Sequence, residues 1–246
     1  MKLILLRHGE SQWNLENRFT GWKDVSLTDT GIREAKFSGE QISKMNITIN
    51  SVYTSLLNRA TETADIVTSI IKFPKDRIRY DWRLNERHYG ALQGLSKAET
   101  ATKYGEQQVH IWRRSYDTPP PLLDNNDKRH PKFNDKFNNI DGDLPLGESS
   151  KNVIDRLEPF LKDHMVNLKK NAGNHLIVAH SNSLRAIVKI LDQLSSKEII
   201  SINIPTGVPL VYTLDKNLTV LNAEYLIDPE ELAAKQDLVI NQGKIK

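Results

Sequence analysis

Three short, largely apolar runs constrain this chain more than any other feature. Each ends at a cluster of charged or polar residues, and each is followed by a helical pattern. Leu3-Ile4-Leu5-Leu6 runs into Arg7-His8, Ser51-Val52-Tyr53-Thr54 runs towards Asn58-Arg59, and His175-Leu176-Ile177-Val178-Ala179 runs into His180-Ser181. Short runs that do not alternate between apolar and polar belong to strands covered on both faces, as in a parallel sheet flanked by helices. The intervening segments supply such helices. Ile32, Ala35, Gly39 and Ile42 recur on one stripe between Thr28 and Met45; Ala60, Ala64, Val67 and Ile71 do so after the second run. Leu184, Ile187, Val188 and Leu191 repeat the stripe after the third run. Pro209–Leu214 and Leu218–Tyr225 read as two more strands turned at Asp215-Lys216-Asn217. The expected fold is α/β: a three-layer sandwich with a mostly parallel central sheet.

At 246 residues the chain fits a single domain spanning 1–246. About residues 117–147 the periodicity lapses around Pro119-Pro120-Pro121 and Asn125-Asn126. Loops of that length inside a compact domain are usually functional covers or disordered, so a lid-like excursion is expected there. Ser149 reads as the N-cap of a helix running to about Lys170. The polar tail, about 230–246, is expected to begin helically and then fray.

Composition narrows the chemistry. With no cysteine, disulfides, thiol nucleophiles, iron–sulfur clusters and Cys-ligated zinc are all excluded. Lys+Arg 34 against Asp+Glu 31, well mixed, argues against a nucleic-acid partner and leaves room for a small anion. The apolar run before Arg7 is too short for a signal peptide or a membrane span, so a soluble cytoplasmic protein is expected, with no membrane partner.

The three polar clusters all stand past the carboxyl ends of strands, where open α/β sheets bind ligands. His8, His180, Arg7 and Arg59 thereby converge on one crevice, beside helix N-termini that favour an anion. Phosphoryl transfer needs this set. A neutral imidazole attacks phosphorus if its other nitrogen is held by a fixed acceptor, and arginine forks stabilise the equatorial oxygens.

The Arg7-His8-Gly9 signature resembles the histidine phosphatase superfamily. Longer blocks narrow the resemblance to the 2,3-bisphosphoglycerate-dependent phosphoglycerate mutases: Leu6 to Asn14, Phe19-Thr20-Gly21-Trp22, Leu84 to Gly90, Trp112 to Asp117 and Ile204-Pro205-Thr206-Gly207. It extends over nearly the whole chain. It implies interconversion of 2- and 3-phosphoglycerate through a phosphohistidine primed by 2,3-bisphosphoglycerate, with no metal, in a homodimer or homotetramer. His8 would be the nucleophile, Glu86 the general acid and base, and His180 a donor to the phosphoryl oxygens. Arg7, Asn14 and Arg59, with Thr20 and Gly21 close by, would hold the transferring phosphate. Arg87, Tyr89, Lys97, Arg113 and Arg114 would grip the carboxylate and the second phosphate. Gly9, Glu10, Ser11, Gln12, Trp13, His88, Ser181 and Asn182 complete the implied binding set. The excursion and the tail would help cover the site. One position departs from the family: Ser181 stands where a Gly usually follows the second histidine. A phosphatase on the same scaffold is the first rival reading, and the Arg87, Lys97, Arg113-Arg114 cluster argues against it; a non-catalytic module that binds phospho-ligands is the second, and the presence of His8, Glu86 and His180 argues against that.

Overall fold

The computed structural model describes residues 1–171 and 173–242. Its core is a six-stranded sheet in the order β3-β2-β4-β1-β5-β6. The strands are β1 Lys2–Arg7, β2 Ile49–Thr54, β3 Ile78–Tyr80, β4 Asn174–Ala179, β5 Pro209–Leu214 and β6 Val220–Tyr225. β3, β2, β4 and β1 run parallel to one another, while β5 and β6 join antiparallel as a hairpin.

The non-alternating runs are buried on both faces because the sheet is covered on both. Leu3, Leu5 and Ile177 pack with Val153, Leu157 and Phe160 of helix α6 (Ser150–Asn171) and with Leu184 and Ile187 of α7 (Ser181–Leu191). Ile4, Leu6, Leu176 and Val178 pack on the other face with Ile42 of α2 (Asp29–Lys44) and Ala64 and Val67 of α3 (Asn58–Ile70). Complete burial of four leucine-sized strand residues is worth roughly 1.5–3 kcal/mol for each side chain, and this fixes the register. Thr28 caps α2 by accepting from the Gly31 N–H. Ser149 does the same at α6, accepting from the Asn152 N–H at 3.2 Å.

The remaining helices are α1 (Gln12–Leu15), α4 (Lys97–Tyr104), α5 (Glu106–Arg114), α8 (Glu198–Ser201) and α9 (Pro229–Asn241). Residues 117–147 form no regular element beyond two single 3₁₀ turns. They pack against the Glu86–Gln93 segment and Trp22: Pro121 accepts from the Ala91 N–H, Arg129 donates to the Gln93 carbonyl, and Phe137 packs on Trp22. The tail begins helically, as expected, in α9, which runs to Asn241. Residues 243–246 lie outside the described residues. No described helix is long and apolar enough to cross a membrane.

Candidate active site

Arg7, Thr54 and Ala179 end three adjacent parallel strands, so the segments that follow them open side by side. The His8 N–H donates to the Ala179 carbonyl at 3.0 Å, continuing the β1–β4 ladder and locking the backbone that carries the imidazole. His8 Nδ1 lies 2.7 Å from its neighbour's carbonyl, Gly9 O, so Nδ1 carries the proton and donates. Nε2 is then a lone-pair nitrogen. It accepts from Arg59 Nε at 3.3 Å and faces the pocket. Burial, then Arg59 and Arg7, hold the His8 pKa well below the ordinary histidine value, so the ring is neutral.

Arg59, near the start of α3, is itself pinned by the Gly21 and Lys23 carbonyls at 2.8 and 3.1 Å. Gly21 takes a positive φ of 55°, which turns its carbonyl to that arginine. Burial lowers the Arg59 pKa to about 10, leaving it charged at neutral pH. The ring of His180 sits 5.0 Å from that of His8, with Nε2 2.7 Å from Ser55 Oγ. Burial and the neighbouring Arg59 lower its pKa well below the usual range as well.

Glu86 brings a carboxylate to the pocket wall. Its Oε1 accepts from the Arg87 and Asn182 N–H groups and from Asn182 Nδ2, at 2.7, 3.2 and 2.9 Å. The loop is fastened behind it. Trp22 Nε1 and Arg156 Nη2 both donate to the Glu86 carbonyl, and Arg156 pairs with the buried Glu148. Opposite stand Arg7, Arg18, Lys97, Arg113, Arg114 and Arg185, which with Arg59 give seven cations against one carboxylate among the described lining residues. Burial and the neighbouring Arg113 depress the Lys97 pKa well below its ordinary value. Burial lowers Arg113 to about 10 and Arg185 to about 9. Such crowding of like charge in a buried site calls for a polyanionic ligand.

Of the residues implied by sequence, Arg7, His8, Asn14, Thr20, Gly21, Arg59, Glu86, Tyr89, Lys97, Arg113, Arg114, Ser181 and Asn182 line this one pocket. Eight do not. His180 is fully buried, with its ring packed beside that of His8, which does line the pocket. Arg87 is fully buried, stacks on the Tyr89 ring at 4.7 Å and donates to the Trp112 and Arg113 carbonyls, so it holds the end of α5 instead of facing the pocket. His88 points the other way along the loop, against Trp22, with Nδ1 accepting from the Gly90 N–H. Gly9 serves close packing: a Cβ there would stand 2.2 Å from the Gly31 carbonyl oxygen. Glu10 holds Thr28, Ser11 caps α1, Gln12 pairs with Glu16, and Trp13 lies beside Gly94. Ser181 is the first residue of α7 and does not adopt a positive φ, so the side chain carries no left-handed strain.

Four lining residues escaped the sequence reading: Arg18, Arg185, Val239 and Gln242. Arg185 follows His180 by five residues on the buried side of α7, where it donates to Asn182 Oδ1 at 3.1 Å. Its place five residues past a candidate histidine was the available signal. Val239 and Gln242 come from the tail that the resemblance implied would help cover the site, with no signal for these particular positions.

The profile of the histidine phosphatase superfamily (branch 1) matches residues 3–126 and 121–223. A solved mycobacterial glucosyl-3-phosphoglycerate phosphatase shares the fold at a TM-score of 0.69 and 20% identity, over 91% of this chain and 96% of that one. The chain belongs to the histidine phosphatase superfamily. A 2,3-bisphosphoglycerate-dependent phosphoglycerate mutase of Treponema denticola is 50% identical over 247 residues, covering 100% of both chains. The 2,3-bisphosphoglycerate-dependent phosphoglycerate mutase 2 of Bacteroides thetaiotaomicron is 47% identical over 100% of this chain and 99% of its own length. Within the superfamily, the chain therefore falls in the family of 2,3-bisphosphoglycerate-dependent phosphoglycerate mutases.

Proposed function

We propose that this enzyme interconverts 2-phosphoglycerate and 3-phosphoglycerate through a phosphohistidine on His8, primed by 2,3-bisphosphoglycerate. The observation that carries the reading is the tautomer of His8. Gly9 O holds the proton on Nδ1, leaving the Nε2 lone pair beside Arg59 in a pocket of seven cations.

From the phosphorylated enzyme, the free hydroxyl of a monophosphoglycerate attacks phosphorus and the P–Nε2 bond breaks. Glu86 takes the hydroxyl proton, and 2,3-bisphosphoglycerate forms with His8 neutral again. After the intermediate turns over in the pocket, Nε2 attacks the other phosphate. The P–O bond breaks, and Glu86 returns its proton to the leaving oxygen. Arg7, Arg59 and His180 stabilise charge on the transferring phosphoryl oxygens. Lys97, Arg113 and Arg114 bind the carboxylate and the resting phosphate, and this second anion clamp is what favours a mutase over a simple phosphatase.

In this reading the cations supply the charge neutralisation and no metal takes part. The assay is conversion of 3-phosphoglycerate with and without catalytic bisphosphate, in the presence of a chelator. Priming by bisphosphate and full activity under chelation are expected; loss of activity restored by a divalent ion would overturn the metal-free mechanism. We also propose a cytoplasmic homodimer or homotetramer, a reading supported by the resemblance.

A further inference from the structure

Glu34, on α2, touches none of the reacting groups, yet three parts of the site meet on its carboxylate. Oε2 accepts from the Glu10 N–H at 2.8 Å, two residues past the nucleophile. Oε1 accepts from Thr206 Oγ1 at 2.9 Å and pairs with Lys235 Nζ of α9 at 2.8 Å. The Thr206-Gly207 turn is pressed against it. A Cβ on Gly207 would stand 2.4 Å from Glu34 Cβ, and the Gly207 N–H donates to the Arg7 carbonyl at 3.1 Å.

α9 needs such a tie. Leu232, Lys235, Gln236, Val239 and Gln242 fall on its inward stripe, but Val239 alone among them is buried, while Leu238 and Ile240 face outward. One buried apolar side chain cannot hold a 13-residue helix, so polar contacts decide whether it docks. Those at its tip are contestable. Gln242 Oε1 accepts from Lys97 Nζ at 3.2 Å and its carbonyl accepts from Arg113, two of the cations assigned above to the resting anion. A substrate bound there would compete for these donors. Lys235 lies two turns back, and neither it nor its partner Glu34 is among the lining residues for which a substrate would compete.

We propose that Glu34 is a positioning residue for the transfer reaction: Oε2 fixes the loop that presents His8, and Oε1 latches the tail helix over the pocket through Lys235. One carboxylate thereby couples presentation of the nucleophile to exclusion of water, the competing acceptor for the phosphoryl group. The proposal rests on the mutase reading given above.

The test measures mutase kcat and KM, and inorganic phosphate released from 2,3-bisphosphoglycerate per mutase turnover. Lys235→Met removes the latch and leaves the bonds of Glu34 to Glu10 and Thr206. It is expected to raise KM and phosphate release about three- to fivefold, the scale of one partly exposed ion pair, with kcat and the melting midpoint little changed. Lys235→Arg restores the pair and both quantities. Hydrogen exchange of the α9 amides, expected faster in Lys235→Met and in Glu34→Gln, reads the latch without any turnover. Unchanged exchange, or an unchanged KM and phosphate release in an active Lys235→Met enzyme, would overturn the latch. A wild-type protein without bisphosphate-dependent interconversion overturns the mutase reading instead, and the exchange measurement still decides the latch.

Discussion

Two buried histidine pairs sit at opposite ends of the same sheet. His8 and His180, past the carboxyl ends of β1 and β4, have ring centroids 5.0 Å apart; His164 and His175, at the amino end of β4, have theirs 5.3 Å apart. Burial lowers all four pKa values. The difference lies in what surrounds them. His8 has a carbonyl to fix its tautomer, arginines at its lone pair and an opening in front. His164 packs edge-on against Tyr53 and flat on Phe160, and neither ring nitrogen has a hydrogen-bond partner among the described residues. Proximity and burial of two imidazoles do not make a site. An anion-accepting wall and a proton carrier do.

The largest effect should come from the first pair alone. His8→Ala abolishes labelling by 2,3-bisphosphoglycerate, since it removes the atom that carries the phosphoryl group, while His180→Ala slows transfer about 10²–10³-fold. Acid-labile, base-stable phosphate on the His8→Ala protein would place the nucleophile elsewhere.

Glu86→Gln sharpens the contrast, because among the described residues no carboxylate bonds to the second pair. Gln keeps the volume and can still accept from Asn182, but cannot carry a proton; turnover at saturating substrate is expected to fall about 10²–10⁴-fold. Long-time labelling of His8 reaches its normal level, only more slowly. Turnover near wild type in a folded Glu86→Gln protein would remove Glu86 from the mechanism.

The smallest effect belongs to the structural pair and is read in stability. Burial, then the neighbouring His175 and Arg79, lower His164 to about 4, whereas the unfolded chain takes up its proton near 6.5. Its stabilising contribution is therefore full above pH 6.5 and is lost as pH falls towards about 4. His164→Phe removes one such proton, flattening the acid limb of unfolding free energy by up to about 1.4 kcal/mol per pH unit in that window. Turnover at neutral pH stays unchanged. A lowered kcat with an unaltered acid limb would reverse the assignment of the two pairs.

Much of this was legible along the chain. Non-alternating apolar runs marked the buried strands, and the polar residues at their exits were the pocket residues Arg7, His8 and Arg59. Arg87 and His88 show the limit: they adjoin Glu86 in sequence, but a loop turns successive side chains in different directions, and only Glu86 and Tyr89 of that stretch reach the pocket. The excursion over 117–147 was visible as irregular, yet its place against the Glu86 loop depends on contacts such as Phe137 with Trp22, 115 residues apart.

The sequence by itself determined the layered α/β core and the strand-end histidines and arginines, because hydrophobic periodicity and strand-to-loop order are local properties. The tertiary structure alone decided which nitrogen of His8 is free, that Arg185 and Gln242 join the pocket, and that Glu34 meets Lys235. Those facts follow from side-chain direction and from contacts between segments far apart in the chain, and neither is written in local spacing.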